Sequence, residues 1–302
     1  MNISVTLCGH RLKNPTILAS GILGMGSSML REVARNGAGA LTLKSSGLLP
    51  REGHRNPKVI EWAHGLANCY GLTNPGIDEM LEELRSLQDL NVPIIASIFG
   101  ADRYEFVQLA EKVSVCNPSI IELNLSCPNT KEHGMIFGLS TKACYDVVSE
   151  VKNAAKVPVF AKLTPQAPNI AEVAKACEEA GADGITAINT LGPGMFINID
   201  VAKPMLSYKT GGLSGPAIRP VAVRCVYEIY ESVEIPIIGT GGVTTGRDAI
   251  ELMMAGATAV GIGSAVYYRG INVFQKVSEE INDWLENSGY SSLTDIIGVA
   301  HG

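Results

Sequence analysis

The sequence predicts an α/β chain folded as a (β/α)8 TIM barrel. Three observations carry this reading. Short runs rich in β-branched residues alternate with longer segments of helical spacing. Eight such units fit into 302 residues, about the length a closed barrel needs. Two polar, Gly/Pro-rich insertions follow strands, on the face where barrels keep their chemistry. A doubly wound open sheet is the rival. It would more often show G-x-G-x-x-G after its first strand, and TILASGILGMG does not supply that spacing at a strand-to-helix turn.

Taken in order, the opening ISVTLCGHRLKNP reads as a hairpin before strand one, able to plug the far end of the barrel. The eight strand runs are TILAS (16–20), ALTLK (40–44), IIASI (94–98), IIELNL (120–125), VFAKLT (159–164), GITAIN (184–189), PIIGTG (236–241) and AVGIGS (259–264). Between them lie helical patterns such as GIDEMLEELRSLQDL, RYEFVQLAEKVSV, TKACYDVVSEVKNAA, NIAEVAKACEEAGA, IRPVAVRCVYEIYESV and GRDAIELMMAGA. The insertions are residues 45–76, after strand two, and 190–215, after strand six. No linker, composition break or low-complexity stretch divides the chain, so residues 1–302 read as one domain.

Composition removes several classes. The chain is 46% hydrophobic and 18% charged with a net charge of −6, which is globular. No Lys/Arg cluster suggests a nucleic-acid surface. No run of 18 apolar residues suggests a membrane span. The opening residues lack a basic region followed by an apolar stretch, so no signal peptide is expected. Seven scattered cysteines argue against a disulfide framework and for a reducing compartment, hence the cytoplasm. None forms C-x2-C, and none of the five histidines forms H-x-x-x-H or H-x-H, so metal catalysis is not expected.

The residues that end the strands carry the chemistry. Strand two ends in Lys44, strand four holds Asn124 and runs into Ser126-Cys127, strand five carries Lys162, and strand six ends in Asn189-Thr190. Any one of these could simply cap a helix or close a turn. Together, two lysines and two asparagines converge on one mouth, and a buried lysine needs a partner or a ligand. The segments GTGGV (239–243) and GIGSA (261–265) end strands seven and eight. Loops at those two strands often bind phosphate through backbone N–H groups. Glycine lets the backbone approach the anion. A phosphate held at Gly241, Gly242, Gly263 and Ser264, with Lys162 near the electron-rich edge of a flavin ring, suits FMN. A sugar-phosphate substrate would use the same cradle.

Cys127 leaves strand four on CPNTKEHGMIFGLS, a loop whose glycines allow it to act as a lid. Asn124 and Asn129 flank the thiol and can orient a planar, amide-rich ligand. No histidine is near in sequence to make it a nucleophile. A general base set opposite a flavin needs no such partner. A thiol near its reference pKa of about 8.5 is only a few per cent ionised at pH 7, so turnover would rise with pH.

These motifs resemble the class 1 dihydroorotate dehydrogenases over nearly the whole length. The matching segments are ASG (19–21), LKSSGLLPREG (43–53), LANCYGLTNPG (66–76), LNLSCPN (123–129), AKLTP (161–165), INTLG (188–192) and GGLSGPAIRP (211–220). HGMIFG after SCPN, and TGGLSGPAIRP, resemble class 1B catalytic subunits more than class 1A. The resemblance implies oxidation of dihydroorotate to orotate in pyrimidine synthesis, with Cys127 taking the C5 proton while the C6 hydride passes to FMN N5. It implies substrate contacts at Asn68, Tyr70, Gly71, Leu72, Asn124, Asn129, Asn189 and Thr190, with Lys44 near both substrate and flavin. It implies flavin contacts at Ala19, Ser20, Lys44, Ser45, Asn124, Lys162, Ile188, Gly215, Gly241, Gly242, Gly263 and Ser264.

Two departures stand out. Ser97 replaces an asparagine frequent in class 1B, which is expected to alter the flavin contacts modestly. Cys69 follows Asn68 and is expected to be structural. Class 1B also implies a homodimer core in a heterotetramer with a partner subunit carrying FAD and a [2Fe–2S] cluster and passing electrons to NAD+. This chain has no cluster motif and no evident dinucleotide loop, which fits that division of labour. It fits equally a class 1A-like enzyme reducing fumarate. Other readings are a dihydropyrimidine dehydrogenase-like flavoenzyme acting on uracil-like rings, a flavin-free aldolase or isomerase barrel, and a non-catalytic flavin-binding scaffold.

Overall fold

In the computed structural model, which describes residues 2–125 and 135–302, eight parallel strands close into a barrel in chain order. They are β1 (Thr16–Leu18), β2 (Ala40–Thr42), β3 (Ile94–Ile98), β4 (Ile120–Asn124), β5 (Val159–Leu163), β6 (Gly184–Ala187), β7 (Ile237–Thr240) and β8 (Ala259–Ile262). Helices α1 (Ser27–Arg35), α2 (Ile77–Ser86), α3 (Arg103–Ser114), α4 (Thr141–Ala154), α5 (Ile170–Glu179), α6 (Arg219–Tyr230), α7 (Gly246–Met254) and α8 (Val273–Ser288) follow the strands in turn.

The strands read as continuous apolar runs because both of their faces are covered. Every residue of β3, β4 and β5 is buried. The helices instead bury one stripe, such as Phe106, Leu109, Ala110 and Val113 of α3. Several begin on side-chain caps: Asp102 accepts from Glu105 N–H, Asn169 from Glu172 N–H, and Thr245 and Asp248 form a reciprocal capping box. Each such cap contributes about 1 kcal/mol. Inside the barrel the Phe160 ring fills the space beside Gly184. A methyl group built there would lie 2.2 Å from the ring.

The N-terminal hairpin pairs Val5–Leu7 with His10–Leu12. Its two-residue turn, Cys8-Gly9, has positive φ at both positions, which matches the twist of paired strands. Cys8 Sγ meets the Asp183 carbonyl at 3.4 Å, just before β6 begins. The hairpin therefore covers the N-terminal end of the barrel, as its sequence suggests.

The two insertions meet. Val59–Trp62 and Gly65–Asn68 come from the first, and Leu191–Met195 and Thr210–Ser214 from the second. They form one four-stranded antiparallel sheet in which Gly65–Asn68 pairs with Thr210–Ser214. Two loops that leave distant strands are thus locked together beside the mouth.

The strand ladders stop earlier than the sequence runs. TILAS ends its ladder at Leu18, ALTLK at Thr42, GITAIN at Ala187 and AVGIGS at Ile262. Beyond those points single backbone bonds, such as Ala19 N–H to the Ile262 carbonyl at 2.9 Å and Asn189 N–H to the Leu163 carbonyl at 2.9 Å, tie the chain to the mouth. Ala19, Ser20, Lys44, Asn189, Gly263 and Ser264 therefore belong to the rim of the site, not to the barrel wall.

Candidate active site

A cleft of about 1200 Å³ of empty space, mouth included, opens at the C-terminal end of the barrel. Every barrel strand except β3, or the segment just after it, contributes to its wall. The segment after β1 gives Ala19 and Ser20, and the one after β2 gives Lys44 and Ser45. β4 gives Asn124 and β5 gives Lys162. The segment after β6 gives Ile188, Asn189 and Thr190. The inserted sheet adds Asn68, the segments that leave it add Tyr70, Leu72 and Gly215, and the last two strand ends add Gly241, Gly242, Gly263 and Ser264. Ile22, Val59, Leu66, Ile218 and Val243 supply apolar wall that the motifs do not single out.

One described site candidate stands elsewhere. Gly71 is not part of the wall. Its φ is +69° and a methyl group there would lie 2.7 Å from the His54 ring, so its place beside that imidazole needs glycine. Cys127 and Asn129 lie outside the described residues. Cys69 is fully buried beside Ala67 and Leu206, with Sγ 3.8 Å from the Pro57 carbonyl and 3.7 Å from Ser207 Oγ.

A chain of hydrogen bonds runs beneath the mouth. Asn189 Nδ2 donates to Asn124 Oδ1 at 3.2 Å, and Asn124 Nδ2 donates to Ser45 Oγ at 3.3 Å. Ser45 and Ser97 share a contact of 2.8 Å, and Ser97 Oγ donates to Glu122 Oε1 at 3.0 Å. The same carboxylate oxygen lies 3.6 Å from Lys162 Nζ, which itself donates to Ser20 Oγ at 2.8 Å. Because the Ser97 proton is committed to a carboxylate, Ser45 must be the donor in the serine pair.

Glu122 is the residue that motif reading missed. It is 2% exposed and Lys162 is 4% exposed, so the two form a buried ion pair. The available signal is a carboxylate inside IIELNL, two residues before Asn124 and so on the same face of the strand. Ser97 stands behind the wall. It is fully buried, and its hydroxyl meets Ser45, which does line the cleft, and Glu122.

The rest of the wall divides by chemistry. Lys44 Nζ stands 5.6 Å from the centre of the Tyr70 ring, and burial raises the Tyr70 phenol. Asn68 Nδ2 donates to the Gly212 carbonyl at 3.3 Å, which fixes its amide on the inserted sheet. At the glycine end, a methyl group on Gly241 or Gly242 would come within 2.7 Å of Ala222 or 2.6 Å of Arg219 on α6. A methyl group on Gly263 would meet nothing closer than 3.8 Å and would stand in the cradle itself. Arg219 points away from that cradle, paired with Asp248 and, at 2.9 Å, with Glu251. An anion seated there would be met by backbone N–H groups. The cleft thus brings together a glycine-lined cradle, a buried cation and several side-chain amides.

The family model described as "Dihydroorotate dehydrogenase" matches residues 2–285. The chain belongs to the dihydroorotate dehydrogenase family. It is 48% identical to the "Dihydroorotate dehydrogenase B (NAD(+)), catalytic subunit" of Methanocaldococcus jannaschii, over 99% of this chain and 98% of that protein. It is 47% identical to the protein of the same name from Pyrococcus abyssi, over 99% of both chains, and 46% identical to that of Methanosarcina acetivorans, over 98% and 95%. Within the family frame the eight-stranded barrel and its N-terminal hairpin stand as the sequence predicts. No helix among the described residues is long and apolar enough to cross a membrane.

Proposed function

We propose that this chain is the catalytic subunit of a class 1B dihydroorotate dehydrogenase that binds FMN in the cleft and oxidises dihydroorotate to orotate for pyrimidine synthesis. The observation that carries the reading is the convergence, in one cleft, of the glycine cradle, Lys162 and the amides Asn124 and Asn189. The full-length likeness to catalytic subunits of that name supports it.

The residues fit FMN by their chemistry. The cradle at Gly241, Gly242, Gly263 and Ser264 suits its phosphate, with Gly215 beside it. Ala19, Ser20, Ser45 and Ile188 would line the ring, and Lys162 would supply positive charge to it. When bound, FMN supplies the hydride acceptor.

The chain's own groups then divide the work. Asn68, Asn124, Asn129 and Asn189 hold a planar, amide-rich substrate by its edges, with Lys44 and Thr190 adding a charge and a hydroxyl. Tyr70 and Leu72 close the apolar side and exclude water. Cys127 removes the C5 proton as general base. A fixed amide array costs no reorganisation when charge shifts on the substrate.

Electrons leave through a partner subunit that carries FAD and a [2Fe–2S] cluster and reduces NAD+. The assembly is a heterotetramer built on a homodimer of this chain, in the cytoplasm. The test is steady-state dihydroorotate oxidation by the FMN-loaded chain with and without the co-expressed partner. NAD+ reduction only with the partner is the expected result. Turnover with fumarate by the chain alone would replace the reading with a class 1A-like enzyme.

A further inference from the structure

We propose that Glu122 is a positioning residue that sets how much positive charge Lys162 presents to the cleft, and that fixes the direction of the amides on the substrate side. The inference rests on the FMN reading above.

Three observations lead to it. Glu122 and Lys162 are each at least nine-tenths buried, with Oε1 and Nζ 3.6 Å apart. At that separation inside a protein, a counter-charge cancels much of the lysine's field. The pair is also off the ideal distance for a strong charge-assisted hydrogen bond, which is about 2.7–2.9 Å. Glu122 Oε1 is instead engaged by Ser97 Oγ at 3.0 Å. Ser97 thus competes with Lys162 for one carboxylate oxygen.

The same carboxylate orders the rest of the chain. It accepts and never donates while ionised. Ser97 must therefore donate to it, Ser45 to Ser97, Asn124 to Ser45, and Asn189 to Asn124. All four donors point one way, down from the mouth toward Glu122. Asn124 keeps its oxygen toward Asn189, and Asn189 keeps its own oxygen on the Thr190 N–H at 2.8 Å. A neutral amide at position 122 could donate as well as accept, and the chain could then reverse.

The experiment measures the midpoint potential of the bound flavin in three variants, with FMN content and melting temperature recorded for each. Glu122→Gln keeps the shape and removes the counter-charge. Its reduction equilibrium should shift toward the reduced flavin on the order of tenfold, about 30 mV for a two-electron couple. Glu122→Asp keeps the charge and should shift less. Ser97→Ala frees the carboxylate to close on Lys162, so its potential should fall. An unchanged or lower potential in folded, FMN-loaded Glu122→Gln overturns the proposal. So does an Asp variant that shifts as far as Gln, since packing would then be the cause. If the Gln variant does not fold, Ser97→Ala decides alone, and an unchanged or higher potential there overturns the proposal. Failure of the parent chain to take up FMN is a separate result and removes the FMN reading itself.

Discussion

Lys162 Nζ donates to Ser20 Oγ at 2.8 Å, joining β5 to the segment after β1 straight across the barrel mouth. In the closed order these strands are four apart in either direction. The lysine is held from above by a hydroxyl and from below by Glu122.

Lys162→Ala removes that charge and strands Glu122. Truncating one partner of a buried ion pair costs about 3–5 kcal/mol. The variant should melt earlier, retain FMN less well or reduce it more slowly. Normal flavin content with a normal reduction rate in rapid mixing would count against the lysine's role.

Two glycine variants separate the cradle from the fold. Gly263→Ala meets nothing closer than 3.8 Å and should leave the melting temperature unchanged. Its methyl group enters the cradle, so FMN affinity should fall about tenfold, or about 1.4 kcal/mol. Gly184→Ala drives a methyl group to within 2.2 Å of the Phe160 ring. That overpacking should cost about 1–3 kcal/mol of stability. Equilibrium FMN titration and thermal melting check both, and the reverse pattern would remove the cradle assignment.

The legibility of the site follows from where its partners sit. Lys162 and Asn124 stand out because each breaks an apolar strand. Glu122 breaks one too, but its meaning depends on register: Asn124 pairs with Lys162, and Ser97 with Glu122. Nothing local in the sequence shows which strand faces which residue. The sheet beside the mouth is hidden for a related reason. Its central strands, Gly65–Asn68 and Thr210–Ser214, are short and glycine-rich, without the alternation that marks a half-buried strand. The barrel itself is legible because eight apolar runs recur with helices between them, and that pattern needs no long-range information.

Stability in acid should depend on Glu280. Burial pushes its carboxyl up, but the Arg269 guanidinium at 2.6 Å and the Gly246 N–H outweigh that and hold it below the ordinary value. A depressed carboxylate adds stability above its unfolded pKa, about 4.3, and loses it as pH falls through the folded value. Glu280→Gln should therefore melt earlier than the parent at pH 7. The difference should close on acidification below about pH 4. A gap that persists unchanged at low pH would show that packing, not charge, is responsible.

Cys127→Ser should keep its FMN and lose most turnover near neutral pH. A serine hydroxyl is a far weaker acid than a thiol, so the remaining activity should move to higher pH. A pH–rate profile checks this. Unchanged turnover would take Cys127 out of the mechanism.

The central claim is that the cleft holds FMN and passes it the hydride of dihydroorotate. The most direct measurement is anaerobic: dihydroorotate is added to the purified, FMN-loaded protein and the visible flavin absorbance is followed. Rapid bleaching, with orotate formed in equal amount, is the result predicted. A protein that stays yellow with dihydroorotate but bleaches with dihydrouracil, or one that cannot be loaded with FMN, would contradict it.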